Sequence, residues 1–197
     1  MELPHPRPPA ALERISELAR GLSHTMESTT YTGELLRSLA TTKPGGRFLE
    51  LGTSCGHGTA WILDGMDSEA ELISVENSEL HLDVARKCLG SDSRLSLCEG
   101  DARGVIREFF AQRRFDFIFA DTWEGKVNSL EEILTMLRPG GIYVVDDMFP
   151  QESWKSLDYD HFKAIKTLMQ KLESRPDLNV SKVTCGTGYV IAVKKPS

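Results

Sequence analysis

Five short apolar segments alternate with five helix-like segments between residues 47 and 173, and this alternation restricts the fold more than any other feature. Strands that alternate with helices predict a mostly parallel sheet with helices on both faces. Two further strands flank the turn "GTG" and predict a closing hairpin that adds an antiparallel strand at one edge. The seven predicted strands are 47–52, 71–76, 94–98, 115–121, 142–147, 179–185 and 189–195.

The domain organisation follows from the length of the chain and from the composition of its successive segments. The chain has 197 residues, which suits one α/β domain with a sizeable core, and it contains no repeats or second domain. Residues 1–9 are proline-rich and predict a flexible arm. Residues 10–40 show apolar positions at helical spacing and predict two N-terminal helices. Residues 47–197 form the predicted core.

Charge and composition exclude several classes of protein. The net charge of −6 leaves no basic footprint, which makes a nucleic-acid partner unlikely on this count. The first ten residues lack the apolar core of a secretory signal, and no apolar run has the length of a membrane span. Four scattered cysteines lack metal-binding spacing and suit a reducing compartment. A cytoplasmic protein is therefore expected, with no membrane partner.

The segment "FLELGTSCGHG", residues 48–58, predicts a glycine loop that holds a ligand at the end of the first strand. It is not a dinucleotide fingerprint, because Ser54 occupies the position of the second glycine. It also lacks the Gly-Lys-Ser/Thr of a phosphate loop. Glu50 could receive an ammonium group, so a nucleoside that carries an amino acid suits this loop better than a pyrophosphate. The alternative is a tight turn without a ligand.

Two further acids follow strands at the same sheet edge. Glu76 ends the second strand, where its carboxylate could accept both hydroxyls of a ribose. Asp101 lies in "EGDA" after the third strand, where it or the neighbouring backbone could contact an adenine. Gly-Asp is also common in turns, so this second indication is weaker.

Three more acids follow the next two strands. Asp121 comes after "FDFIFA", and Asp146 and Asp147 come after "IYVV". Carboxylates brought together at one edge repel each other unless a divalent cation binds or some of them stay protonated. All-oxygen ligands suit Mg²⁺, Mn²⁺ or Ca²⁺. The alternative is that Asp146 caps a turn, Asp147 faces solvent and only Asp121 contacts the ligand.

Together these motifs resemble the class I S-adenosylmethionine-dependent methyltransferases, and most closely the catechol and caffeoyl-CoA O-methyltransferase type. The resemblance covers the chain from Met26 onward. It implies a Rossmann-like methyltransferase fold, an O-methyltransferase activity on a small hydroxylated acceptor such as a catechol or other vicinal diol, and a homodimer as one option. The motifs are "MESTTYTGELL", "LELGTSCGHG", "SVENSE", "EGDA", "FDFIFADTW", "LRPGGIYVVDD" and "GTGYVIAVKK".

The resemblance also implies roles for individual residues. It places the ribose at Glu76, the adenine at Asp101 and Ala102, and the sulfonium near Met26. Trp123 and Asp121 would also border the donor. A divalent cation such as Mg²⁺ or Mn²⁺ would bind Asp121, Asp146 and Asp147, anchor two neighbouring hydroxyls and lower the pKa of one of them. The residues implied around the donor's methionine part are Glu50, Gly52, Thr53, Ser54 and Gly56.

Two departures from the family pattern leave alternatives open. Asp147 stands where the family has asparagine, and Glu124 stands where it has a catalytic lysine. Lys126, two residues on, is the predicted replacement if the loop is rearranged, with Asp121 beside it. The alternatives are a metal-independent methyltransferase, a methyltransferase of hydroxyuridine in transfer RNA, aminopropyl transfer, and donor binding without catalysis.

Overall fold

The computed structural model describes residues 7–22, 28–110, 112–149 and 159–196. The strands are β1 Arg47–Leu51, β2 Glu71–Glu76, β3 Leu95–Glu99, β4 Phe115–Ala120, β5 Leu137–Val145, β6 Leu178–Val183 and β7 Tyr189–Lys194. The helices are α1 Ala11–Ala19, α2 Thr30–Thr41, α3 His57–Gly65, α4 Glu79–Leu89, α5 Ala102–Val105, α6 Leu130–Met136 and α7 Tyr159–Glu173. Two π-helical turns, Ile106–Phe110 and Glu124–Asn128, follow α5 and β4.

The strands form one seven-stranded sheet in the order β3-β2-β1-β4-β5-β7-β6. Strands β1 to β5 pair in parallel, and β7 is antiparallel to both of its neighbours. The predicted mostly parallel sheet with an antiparallel C-terminal strand is therefore confirmed. The antiparallel strand differs from the expectation in one detail, because β7 lies between β5 and β6 and leaves β6 at the edge.

Helices cover both faces of the sheet, as predicted. Strand β1 shows the division, since Phe48 belongs to one apolar cluster while Leu49 and Leu51 belong to the other. The first cluster includes residues of α1, α2, α3 and α4, and the second includes residues of α5, α6 and α7. Burial of these two apolar layers is the main favourable contribution to folding.

The helix starts place side chains at the carboxyl edge of the sheet. The Ser78 hydroxyl accepts a hydrogen bond from His81 N at 3.4 Å and caps the start of α4. The Asp101 carboxylate caps α5 by accepting from Gly104 N at 3.3 Å. Both caps fix the turns that follow β2 and β3, where two of the predicted acids lie.

Within the part of the chain that the structure describes, none of the helices combines the length and the apolar character needed to cross a bilayer.

Candidate active site at the carboxyl edge of the sheet

The glycine loop after β1 is held in a conformation that few residues adopt. Gly52 has φ 107°, Ser54 has φ 48° and Gly56 has φ 101°. A Cβ atom on Gly52 would lie 2.9 Å from Thr122 Cγ2 and 3.1 Å from the carbonyl oxygen of Asp121. The loop therefore packs against the end of β4. Ser54 stands where a dinucleotide fingerprint has its second glycine, and it has the left-handed backbone that glycine adopts most readily.

Glu76 ties this loop to the end of β2. Its Oε2 accepts from Ser54 N at 2.8 Å, and its Oε1 accepts from Asn77 N at 3.0 Å and from Ser78 N at 2.9 Å. A carboxylate has about four acceptor sites, so these three bonds leave about one free, on Oε2. Glu76 thus orders the loop and stays able to accept a hydrogen bond from a ligand's hydroxyl.

A cleft of about 280 Å³ opens beside Glu76 at the ends of β2, β3 and β4. Trp123, which is 45% exposed, forms one wall, and its ring contacts the His161 ring edge-on at a centroid distance of 4.7 Å. The structure therefore brings four residues of the predicted donor site to one cleft. Its lining residues are Val75, Glu76, Asn77, Gly100, Asp101, Ala102, Thr122, Trp123, Glu124 and Asn128.

Glu50 lies beneath the glycine loop and is fully buried. Its Oε2 accepts from the hydroxyls of Thr59 and Ser74, each at 2.5 Å, and Ser74 also bonds Thr53 at 2.5 Å. Its Oε1 has no hydrogen-bond partner among the described residues, and neither does the buried Ser54 Oγ. Burial raises the pKa of Glu50 to about 8, although the two hydroxyls oppose this shift.

Sequence reasoning did not identify Thr59 and Ser74 as partners of Glu50. Ser74 carried a signal, because it is a polar residue in the middle of the apolar segment "LISVE", and it is fully buried. A polar residue at a buried strand position predicts a buried hydrogen-bond partner. Thr59 carried no such signal, because a threonine in a helix is common on any face.

Two of the acids after β4 and β5 lie on either side of a lysine. Lys126 Nζ lies 3.1 Å from Asp121 Oδ1 and 3.7 Å from Asp147 Oδ2, and its side chain is only 8% exposed. Burial raises the pKa of Asp121, and the nearby Lys126 ammonium counteracts this effect. The π-helical turn Glu124–Asn128 brings Lys126 to this position. Lys126 therefore lies beside Asp121, and its predicted role as the replacement for the missing lysine stays a prediction.

Asp146 faces away from this lysine toward α2 and the turn before β7. Its Oδ1 accepts from Asp147 N at 2.7 Å and from the Thr187 hydroxyl, and its Oδ2 accepts from the Thr32 hydroxyl at 3.4 Å. The side chain is buried, and burial raises its pKa to about 6, with the charge of Asp121 adding to the shift. Sequence reasoning missed Thr32 and Thr187 as partners of this acid.

Asp147 has φ 56°, a left-handed backbone that asparagine and aspartate tolerate better than other residues with a side chain. This backbone explains why the family's asparagine can be replaced by aspartate here. The substitution keeps the turn and adds one negative charge beside Lys126.

The remaining residues of the predicted donor site lie outside the open cleft or outside the described residues. Thr53 is buried with Glu50 instead of lining the open cleft. Gly56 is the N-cap of α3. Met26 lies outside the described residues, so its predicted position near the sulfonium stays a prediction.

The comparisons with known proteins identify the family of this chain. A family model described as a methyltransferase domain matches residues 49–148, and the chain belongs to this family. The matched region begins in β1 and ends just after Asp147, so it contains most of the residues described above. The family resemblance deduced from the sequence is confirmed.

Individual relatives are more distant. Catechol O-methyltransferase B of Danio rerio is 27% identical over 150 residues, which cover 72% of this chain and 57% of that protein. This chain thus matches less than two thirds of that relative's length. A Bacillus cereus O-methyltransferase solved in complex with S-adenosylhomocysteine is 25% identical, with a TM-score of 0.80 over 96% of this chain and 92% of that one.

A third similarity concerns the fold alone. TomG from Streptomyces achromogenes, an O-methyltransferase of tomaymycin synthesis solved with S-adenosylmethionine, is 21% identical, with a TM-score of 0.81 over 96% of this chain and 91% of that one. The Rossmann-like methyltransferase fold predicted from the sequence is confirmed by these neighbours.

Proposed function

We propose that this chain transfers the methyl group of S-adenosylmethionine to a hydroxyl oxygen of a small-molecule acceptor. The observation that carries the proposal is the pairing of Lys126 Nζ with Asp121 Oδ1 at 3.1 Å, at the end of β4 and against the glycine loop. This pair places a cation and a hydrogen-bond acceptor beside the loop proposed to hold the donor.

The buried polar atoms at the glycine loop favour a donor that carries an amino acid. Glu50 Oε1 and Ser54 Oγ are buried atoms without partners among the described residues, and buried polar atoms of this kind are normally satisfied. An ammonium group would satisfy the carboxylate oxygen, and a carboxylate could accept from the hydroxyl. The neighbouring cleft, with Glu76 and Asp101 on its walls, suits the ribose and adenine of the same molecule.

The transfer step uses the Lys126–Asp121 pair. As the acceptor oxygen bonds to the methyl carbon, the carbon–sulfur bond breaks and its electron pair stays on the sulfur of a neutral thioether. The hydroxyl proton passes to Asp121, whose pKa is raised by burial, and the Lys126 ammonium stabilises negative charge on the oxygen. An acceptor with two neighbouring hydroxyls suits this pair, because one oxygen contacts the ammonium and the other hydroxyl donates to a carboxylate.

A divalent cation does not fit the acid cluster as its side chains are placed. The Lys126 ammonium already lies within ion-pair distance of Asp121 and Asp147. Both oxygens of Asp146 accept hydrogen bonds from protein donors. The proposed step therefore uses no metal ion, in contrast to the sequence-based expectation of Mg²⁺ or Mn²⁺.

The test is a paired measurement of donor binding and methyl transfer. Calorimetry with S-adenosylhomocysteine measures the first, and transfer of labelled methyl groups to a panel of catechols, sugars and simple alcohols measures the second. Lys126→Met is expected to keep donor binding and lose transfer. Lys87→Met is the matched control, because Lys87 forms an exposed ion pair with Asp83 on α4.

Two results would contradict the proposal. One is the absence of donor binding by the wild-type protein. The other is full transfer activity in Lys126→Met. The expected homodimer and cytoplasmic location stay predictions.

A further inference from the structure

The turn after β4 is built to hold a lysine inside the acid cluster. Lys126 N donates to Thr122 O at 2.9 Å, and Ser129 N donates to Glu124 O at 3.0 Å, five residues back. The second bond is the π-helical one. The buried Tyr143 hydroxyl donates to Gly125 O at 2.7 Å and fixes the turn to β5. Lys126 lies inside this wide turn, which holds its side chain beside Asp121.

The residue at the family's lysine position has a different task here. Glu124 accepts from Asn128 Nδ2 at 2.9 Å and from the Ser129 hydroxyl, and Arg103 Nε lies 3.8 Å from its carboxylate. The contacts with Asn128 and Ser129 join the first residue of the turn to its end. Glu124 is thus a structural residue of the turn.

The lysine is paired in a way that a buried cation requires. A lysine side chain with little exposure is stable only when its charge is compensated. Asp121 and Asp147 provide two carboxylates within 4 Å of Nζ. A divalent ion placed among the same carboxylates would lie against this ammonium, and like charges at short range in a poorly solvated site repel strongly.

We propose that Lys126 is a built-in cation that takes the position a divalent metal ion would occupy, so that methyl transfer by this chain is independent of divalent metals. The proposal rests on the proposed function for the transfer step. Repulsion between Lys126 and a divalent ion is a property of the acid cluster, so it can be tested without turnover. The extra charge of Asp147 belongs to the same arrangement, because it is the second partner of the ammonium.

The direct test is a titration with Mn²⁺, followed by the paramagnetic resonance signal of the free ion. The wild-type protein and Lys126→Arg are expected to bind no Mn²⁺ at concentrations up to about 1 mM, the weak end of protein oxygen sites. Lys126→Met keeps the side-chain length and removes the charge, so it is expected to bind one Mn²⁺ at least about tenfold more tightly. Adding Asp147→Asn to Lys126→Met is expected to weaken that new site.

The outcomes separate the inference from the proposed function. One tight Mn²⁺ site in the wild-type protein, lost in Asp121→Asn, would overturn the inference whatever the activity. A folded Lys126→Met variant that gains no Mn²⁺ affinity would also overturn it. When an acceptor is found, unchanged transfer in excess EDTA supports the inference, and loss of transfer contradicts it. If the protein binds no donor, the proposed function fails while the Mn²⁺ titration still decides the role of Lys126.

Discussion

Glu50 offers the sharpest test of the buried network beneath the glycine loop, through the substitution Glu50→Gln. The folded protein holds the pKa of this carboxyl at about 8, against 4.5 for an ordinary glutamate. Between these two values the folded state retains a proton that the unfolded state releases. The contribution of Glu50 to stability is therefore fully present below pH 4.5 and decreases as the pH rises toward 8.

The size of this effect follows from the shift. One pKa unit corresponds to about 1.4 kcal/mol, and titration is incomplete at both ends of the range, so between pH 5 and pH 8 the wild-type protein should lose about 3–4 kcal/mol of unfolding free energy through Glu50. Glutamine does not titrate, so Glu50→Gln should lose none of it. Asp146, with a pKa of about 6, titrates in both proteins and cancels in the difference.

The assay is urea denaturation of both proteins at pH 5, 6, 7 and 8. The difference in unfolding free energy between variant and wild type should increase steadily with pH. Parallel pH profiles for the two proteins would refute the assignment of a buried, protonated Glu50.

The same residue predicts how the donor binds. If the donor's ammonium meets Glu50 Oε1, binding at pH 7 should release about one proton, because the carboxyl is protonated in the free protein and charged in the complex. Calorimetry with S-adenosylhomocysteine in two buffers of different ionisation enthalpy measures this number. Glu50→Gln should bind more weakly and release none, and equal proton release in the two proteins would remove Glu50 from the donor site.

Two other substitutions test the loop and its surroundings. Glu76→Ala should weaken S-adenosylhomocysteine binding by about 1–3 kcal/mol through lost charge-assisted hydrogen bonds, and an unchanged dissociation constant would exclude Glu76 from the site. Gly58→Ala should lower the unfolding free energy by about 1–3 kcal/mol, because a Cβ there would lie 2.7 Å from Glu50 Oε1. Gly104→Ala is its control, since a Cβ at that helical position meets nothing within 4 Å, and an equal loss in both variants would contradict the steric explanation.

The fold could be read from local patterns to a large extent. The strand β2 follows from its apolar run, and α4 follows from a helix-like segment whose N-cap in the structure is Ser78. The position of β7 in the sheet was harder to predict from the sequence, because its place between β5 and β6 depends on pairing between segments that are distant along the chain. Local periodicity predicts that a strand exists and leaves its neighbours to be decided by tertiary packing.

The candidate site divides in the same way. The positions of Glu76 and Asp101 at one edge of the sheet were predictable, because parallel strands bring their carboxyl ends to the same edge. The burial of Glu50 under α3 was not, since it depends on which face of β1 the helix covers. Asp147 looked like a departure in metal chemistry, and its left-handed backbone accounts for the substitution in conformational terms.

The sequence by itself determined the succession of strands and helices along the chain, the glycine loop and the acids at the strand ends. These features depend on residue type and short-range spacing. The tertiary structure alone decided that Lys126 lies between Asp121 and Asp147 and that Asp146 turns toward Thr32. The physical reason is that a buried charge takes the position at which distant elements together supply its partners, and no local pattern records that position.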